Sequence, residues 1–232
     1  NFPEVAFSVA PTGHYPPHPD YLAATEQYAN QTQLAADGAL ENYIAGRPFA
    51  RALINPDDPL SGLKAAWNFN YRWQYYGMNV ERYVGALIAK GGKASRLSGF
   101  PDDLMQGGGK VIRHLVALYQ RAYHNHLAQL SQQGYLLPVD DAGRFEYKDY
   151  VEFLEPYDVR GQRFMIYRYD DPRKQDDAWG FLPQLHKVRR LSTHERDDSI
   201  AGTDMTLDDF TGFSGRILAH TWKFLGWKDL LH

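Results

Sequence analysis

Residues 161–215 read GQRFMIYRYDDPRKQDDAWGFLPQLHKVRRLSTHERDDSIAGTDMTLDDFTGFSG, and the reading of this stretch decides the fold. Gln162 to Tyr169 is dense in aromatic, branched and long apolar residues and runs into Asp170-Asp171-Pro172-Arg173-Lys174, where proline fixes φ and aspartate favours a turn. Ala178-Trp179-Gly180-Phe181-Leu182 is a second short apolar run, stopped by Pro183, which has no N–H to give a ladder. Leu185 to Leu191 alternates, with His186, Val188 and Arg190 opposing Leu185, Lys187, Arg189 and Leu191. Three adjacent antiparallel strands are expected. Beyond them, Thr206-x-x-Asp209 has the spacing of a capping box and opens a short helix.

Several elements of this stretch occur together in a fixed order: Asp176-Asp177-Ala178-Trp179, Phe181-Leu182-Pro183, Val188-Arg189-Arg190-Leu191-Ser192, Asp198-Ser199, Gly202-Thr203-Asp204 and Asp208-Asp209-Phe210. In this combination the chain resembles the N-terminal portion of a family of unknown function related to periplasmic outer-membrane lipoprotein-sorting factors, whose members share the fold of the carriers LolA and LolB. The resemblance is strongest over 161–226 and extends loosely back to Tyr21. It implies an α+β domain: a strongly curved antiparallel sheet, an open half-barrel, with helices packed in or over its concave face. It also implies a single domain over 20–232 behind an extended arm at 1–19, lacking the C-terminal strands with which the family continues, and a location in the periplasm.

At 232 residues with 44% hydrophobic content the chain is globular, and length alone does not choose between one core and two. A net charge of −3 offers no general basic field, so nucleic acid is not an expected partner. With no cysteine there is no disulfide, thiol nucleophile or thiolate metal site. No apolar run approaches the roughly 20 residues of a membrane-spanning helix. The 16 tyrosines and five tryptophans suit broad apolar surfaces or a lined cavity.

Taken in order, the chain begins with five prolines before Asp20 and reads as an irregular arm, in which His14 and His18 lack the further ligands of a closed metal site. Tyr21 to Asp37 predicts a helix with Asp20 as cap and Gly38 as its end, and Ala39 to Ile44 a strand. A second helix begins around Ser61-Gly62, with Leu60, Leu63, Trp67 and Tyr71 as its core stripe. From Asn79 to Ala89 the period is two; Lys90-Gly91-Gly92-Lys93 reads as a tight turn and Ala94 to Ser98 as a returning strand. Gly107-Gly108-Gly109-Lys110 lacks the spacing of a phosphate loop and reads as a linker. Val111 to Ser131 places Ile112, Leu115, Val116, Tyr119, Tyr123 and Leu127 at helical spacing and predicts a helix inserted into the family's sheet. His124 and His126, two apart, point to different sides and cannot share an ion. Asp140-Asp141-Ala142-Gly143 reads as a turn, and Phe145 to Phe153 and Arg216 to Leu225 as strands.

Catalysis is not expected. Asp197, Asp198, Asp204, Asp208 and Asp209 are the densest carboxylates, but their order fits no calcium loop, and a hydrolase would need Asp197 and Asp198 to converge with His194 or His220. Arg189 and Arg190 alternate, so one faces each side; the inward one pairs with Asp198 or Asp204 or meets an anionic headgroup. A hydrophobic ligand asks only for a non-directional apolar lining, for which Tyr83, Leu87, Phe164, Ile166, Trp179 and Phe181 are the candidates, and ordinary core packing is the competing role for each. Phe164 and Met165 oppose each other across the pleat, so not every residue of this neighbourhood points inward. The resemblance implies non-catalytic handling of a lipid, lipoprotein or other hydrophobic ligand toward the outer membrane, with no cofactor and no metal. The alternative is an interaction subunit that docks on an outer-membrane barrel or an exporter.

Overall fold

The structure is a computed structural model that describes residues 13, 15–74, 77–89, 110–128, 143–193, 199 and 204–228. Its first helix, α1 (Pro19–Tyr28), opens on a proline that presets the helical φ. The Nδ1 of His18, not Asp20, accepts the first-turn N–H, at 3.2 Å from Asp20 N. Helix α1 ends well short of Asp37. Gln33–Leu34 (β1) and Leu40–Glu41 (β2) instead pair as a two-residue antiparallel ladder, and Gly38 takes φ 87° in the turn between them.

Helix α2 (Ser61–Asn70) starts where expected, and the Ser61 hydroxyl accepts the N–H of Asn55 at 2.9 Å. Its core stripe is narrower than predicted. Ala66 and Trp67 are buried and Leu63 and Tyr71 partly so, whereas Leu60 stays exposed because it precedes the first turn. The Trp67 indole donates to Gly38 O at 2.9 Å, and the Asn68 amide brackets Phe49, accepting its N–H and donating to its carbonyl, both at 2.9 Å. Ile217 completes this core with Phe49, Ala66 and Trp67, and Phe213, Leu218 and Trp222 pack around it. Gly62 is required there: a Cβ on it would stand 2.4 Å from Trp222 O.

The expected strand over Arg216 to Leu225 does not form. Ile217–Ala219 is a 3-10 turn, and the rest has no regular structure and no ladder partner among the described residues. Ile217, Leu218 and Trp222 pack into the α2 core while the segment forms no ladder among the described residues, a use of alternation that sequence cannot separate from a strand. The capping box does form. Thr206 N–H and Thr206 Oγ1 both donate to Asp209 Oδ2, at 2.7 and 2.9 Å, opening the 3-10 helix Leu207–Gly212. These helices and turns together make a cap.

The sheet is a meander of six antiparallel strands in chain order: β3 (Gly77–Ala89), β4 (Lys110–Tyr123), β5 (Phe145–Glu155), β6 (Arg163–Tyr169), β7 (Asp177–Leu182) and β8 (Lys187–Leu191). The three strands expected in 161–191 are all present, although Pro183–Leu185 is a 3-10 turn and β8 begins only after His186. The predicted helix over Val111 to Ser131 is overturned: its described part is the longest strand. Strand β4 lies between β3 and β5, and its consecutive residues Leu115, Val116 and Ala117 are all buried, so both of its faces are apolar. A strand apolar on both faces shows no period of two, and its apolar residues then match a helical stripe as well. The turn at Lys90, the returning strand from Ala94, the linker glycines 107–109 and Asp140 to Ala142 lie outside the described residues. Among the described residues the architecture is therefore α+β, an antiparallel sheet with two α-helices.

Register assigns the side chains to two faces. Tyr119 pairs with Val151, Val151 with Phe164, Phe164 with Gly180 and Gly180 with Arg189, so these residues share one face, together with Arg121, Asp149 and Arg168. We call this the packed face. The cap meets it at the end where β4 and β6 finish and β5 and β7 begin: Arg168 Nη2 donates to Ser214 O at 2.7 Å, and Tyr123 OH to Gln74 Oε1 at 3.0 Å.

Candidate functional site

Two unlike regions occupy the packed face. At the cap end the side chains are ionic and buried. Arg121 forks onto Asp149, Nε to Oδ1 and Nη2 to Oδ2, both at 2.7 Å, and one strand-pair further on Arg168 Nε lies 2.9 Å from Asp176 Oδ1. The fork fixes both partners in a plane and satisfies charges that burial would otherwise leave costly. Tyr147 lies between the arginines, its ring 3.7 Å from the Arg121 guanidinium carbon and 5.3 Å from that of Arg168; burial pushes its hydroxyl up to about 12.

Beside this tier a cleft of about 50 Å³ opens between the cap and the ends of β4 and β5. Tyr21, Tyr43, Tyr71, Trp73 and Tyr123 line it, with His126 and Glu146 among its polar groups. The His126 ring bonds on both sides, Nδ1 with Ile44 O and Nε2 with Asp170 Oδ1, each at 2.7 Å. A carbonyl only accepts and an ionised carboxylate only accepts, so this geometry fits the imidazolium, which donates twice. Burial alone would lower its pKa; the Asp170 hydrogen bond and charge, helped by the Ile44 carbonyl, outweigh it and raise the value. In sequence alone His126 had no assigned role. Its Asp170 partner is 44 positions away, and no local spacing reports such a pair.

Glu146 reaches the cleft through a fault in the ladder. Phe145 pairs with Tyr169 and Tyr147 with Arg168, which leaves Glu146 as the extra residue of a bulge. It is only 7% exposed, and Oε1 accepts from Asn70 Nδ2 at 3.1 Å. Burial raises its pKa, with the charge of Arg168 opposing.

At the other end the packed face is apolar. Leu115, Ala117, Phe153 and Val159 form a buried cluster, with Val151 and Phe164 packed against it. Val159 belongs to the turn between β5 and β6, which folds back over this face and is tied down by Arg113 Nη2 to Asp158 Oδ2 at 2.7 Å. Gly180 leaves room for Phe164 and Leu191 to close over it, at 3.4 and 3.3 Å from where a Cβ would stand.

The six candidate lining residues, which were not all expected to point inward, fall on two faces. Tyr83 pairs with Ala117 and Leu87 with Arg113, which puts them on the packed face with Phe164 and Ile166. Trp179 pairs with Met165 and Phe181 with Arg163, so both lie on the opposite face. There Trp179 packs edge-on against Tyr167, and the Arg163 guanidinium lies over Phe181. The arginine pairing is also corrected. Arg190 bonds Asp177 on the neighbouring strand, and not Asp204, which is exposed. Arg189 projects exposed on the packed face. Asp198, Asp197 and His194 lie outside the described residues, and His220 is packed edge-on against Phe213 and Trp222. Among the described residues no group of three or more ligating side chains gathers at one point, and no helix is long and apolar enough to cross a membrane.

A meander sheet carrying an ionic tier under a helical cap defines the structural class. The chain belongs to the family DUF1329, a family of proteins of unknown function, whose model matches residues 1–232. Among solved structures it is similar to a Vibrio parahaemolyticus domain described as an outer membrane lipoprotein-sorting protein, at 19% identity and a TM-score of 0.33 over 47% of this chain and 37% of that one. It is also similar to a DUF1329 family protein from Desulfovibrio piger, at 21% identity and a TM-score of 0.34 over 48% of this chain and 38% of that one. The chain thus spans less than two-fifths of the length of either. No curated protein matches it.

Proposed function

We propose that this chain is part of a non-catalytic periplasmic protein that binds a lipid, a lipidated protein or another hydrophobic ligand and conveys it toward the outer membrane. The observation that carries the reading is the apolar end of the packed face. There Leu115, Ala117 and Phe153 continue sideways into Tyr83, which is 39% exposed, and into the half-buried Leu87, Phe164 and Ile166. In this reading the sheet curves around the ligand, and Tyr83, Leu87, Phe164 and Ile166 are the lining. Each acyl methylene buried against such a surface contributes about 0.8 kcal/mol without any directional contact. The cleft at the cap end is not this site. Its 50 Å³ holds a few waters, and an acyl chain needs far more.

Native mass spectrometry of the purified chain, followed by organic extraction and lipid analysis, tests the reading. A bound lipid or fatty acid at a defined ratio supports it and identifies the class of ligand. A clean apo mass with no uptake of a fluorescent acyl probe overturns it in favour of a subunit that docks on an outer-membrane barrel or exporter and carries no small molecule.

A further inference from the structure

The cap-end cleft holds one buried acid that no cation of the described residues contacts directly, although Arg168, His126 and Arg121 act on it through space. Asp149 is matched by Arg121 at 2.7 Å, Asp176 by Arg168 at 2.9 Å and Asp170 by His126 at 2.7 Å. Arg72, the other cation on the cleft wall, is engaged by the carbonyls of Phe69 and Thr211 and lies over the Phe69 ring. Glu146 is the odd acid. Among the described residues its carboxylate receives one hydrogen bond, from the neutral Asn70 amide, and no cation is in ion-pair contact with it. A buried carboxylate in that position either holds a proton or receives a positive charge from outside.

The surroundings favour a particular kind of charge. Aromatic rings from α1 (Tyr21), the segment after β2 (Tyr43), the end of α2 (Tyr71, Trp73) and β4 (Tyr123) wall the cleft. Aromatic walls attract cations through the negative faces of their rings. Tyr21, Tyr43 and Tyr123 each donate their hydroxyl to an oxygen of the fold, Tyr71 O, Gly46 O and Gln74 Oε1 respectively, so the rings are held in place before any ligand arrives. The bulge at Glu146 fits the same purpose, because an extra residue re-aims a side chain that regular pairing would direct elsewhere. At about 50 Å³ the space suits a group of roughly three to five non-hydrogen atoms.

We propose that this cleft is a binding site for a small primary ammonium group, which donates to the Glu146 carboxylate and lies against the tyrosine and tryptophan rings. The ammonium is either that of a free amine or the ethanolamine headgroup of a lipid; the chemistry recognised is the same. The site is separate from the apolar lining at the far end of the sheet, so either can fail without the other.

Isothermal titration of the whole chain with ethanolamine, and with ethylene glycol as the uncharged counterpart of similar size, tests the proposal. The expected result is saturable binding of ethanolamine in the millimolar range or tighter and none of ethylene glycol. Glu146→Gln should weaken ethanolamine binding at least about tenfold, since it removes the carboxylate to which the ammonium donates. Trp73→Leu, at a half-buried position that is less demanding for folding, should weaken it roughly threefold to thirtyfold. Binding should also fall as pH drops and Glu146 takes up a proton in competition with the ligand. The charged groups that face Glu146 are Arg168 on β6, Arg121 on β4, and His126 with Asp170, and the arginines stay charged throughout. Glycerophosphoethanolamine distinguishes the sources: tighter binding than ethanolamine indicates a lipid headgroup, and equal or weaker binding a free amine. No saturable binding of ethanolamine by the folded chain, or equal affinity in a folded Glu146→Gln variant, overturns the proposal.

Discussion

The two ends of the packed face are built from the same strands, and they differ in almost everything else. At the cap end, β4, β5 and β6 contribute Arg121, Asp149, Tyr147 and Arg168, and charges fill the space under the helices. At the far end the same strands contribute Leu115, Ala117, Phe153 and Phe164, and among the described residues the β5–β6 turn folds over them. Ion pairs and hydrogen bonds specify position, whereas apolar contact specifies only area. The ionic end therefore fixes how the cap sits, through Arg168 and Ser214, and the apolar end is the part on which the proposed lining rests.

Four outcomes break or sharpen this contrast. The largest effect belongs to the ionic end: Asp149→Ala leaves Arg121 buried without its partner and should destabilise the fold by about 3–5 kcal/mol in urea denaturation. The double replacement Arg121→Met with Asp149→Leu should recover most of that loss; if it does not, the pair positions the cap in a way that apolar packing cannot replace. Next comes His126. Its folded pKa lies above the ordinary 6.5, so its contribution is fully present below about pH 6.5 and is lost as pH rises through the folded value. His126→Gln should cost about 1.5–3 kcal/mol at pH 6 and progressively less above that folded value, checked by thermal melts across a pH series. At the apolar end, Phe164→Glu should reduce acyl-probe binding about tenfold or more in a folded variant, a loss equal to about 1.4 kcal/mol. Trp179→Glu, on the opposite face, should leave binding largely intact. The reverse pattern would place the ligand on the wrong side of the sheet for this reading. Smallest is the exposed pair at the rim, where Arg173 Nε meets Asp37 Oδ2 at 2.6 Å. Asp37→Asn should leave the melting midpoint unchanged, because surface pairs contribute little and are screened.

How legible each region was follows from the same contrast. Strands β5 to β8 could be read because aromatic and branched runs there are punctuated by Asp171-Pro172, Gly161 and Pro183, which mark where pairing stops. Strand β4 could not be read as a strand, since burial on both faces erased its alternation and Arg121, one of its most buried residues, looks like a surface residue in sequence. Helix α1 was overextended because Thr32 and Ala36 suit a helix, and nothing local reveals that Leu34 will pair with Leu40. The apolar candidates were divided between two faces by register, a property of pairing between strands. The cleft was hidden for a further reason. Its members come from α1, the segment after β2, α2, β4 and β5, and Glu146 enters it only through a bulge.

The notch at Gly62 has a consequence for the order of folding. Through it α2 receives the carbonyl of Trp222, so the cap is assembled from residues on both sides of the six-stranded meander. Contacts between such distant parts of a chain form slowly unless the intervening chain has already contracted. Here the contraction is the sheet itself, whose strands pair with their neighbours in sequence and so close only local loops. The meander should then form first and draw residues 62 and 222 together, with the environments of Trp67 and Trp222 settling in the final phase. During synthesis this would leave the ionic tier of the packed face without its cap contact until Ser214, which accepts from Arg168, had left the ribosome.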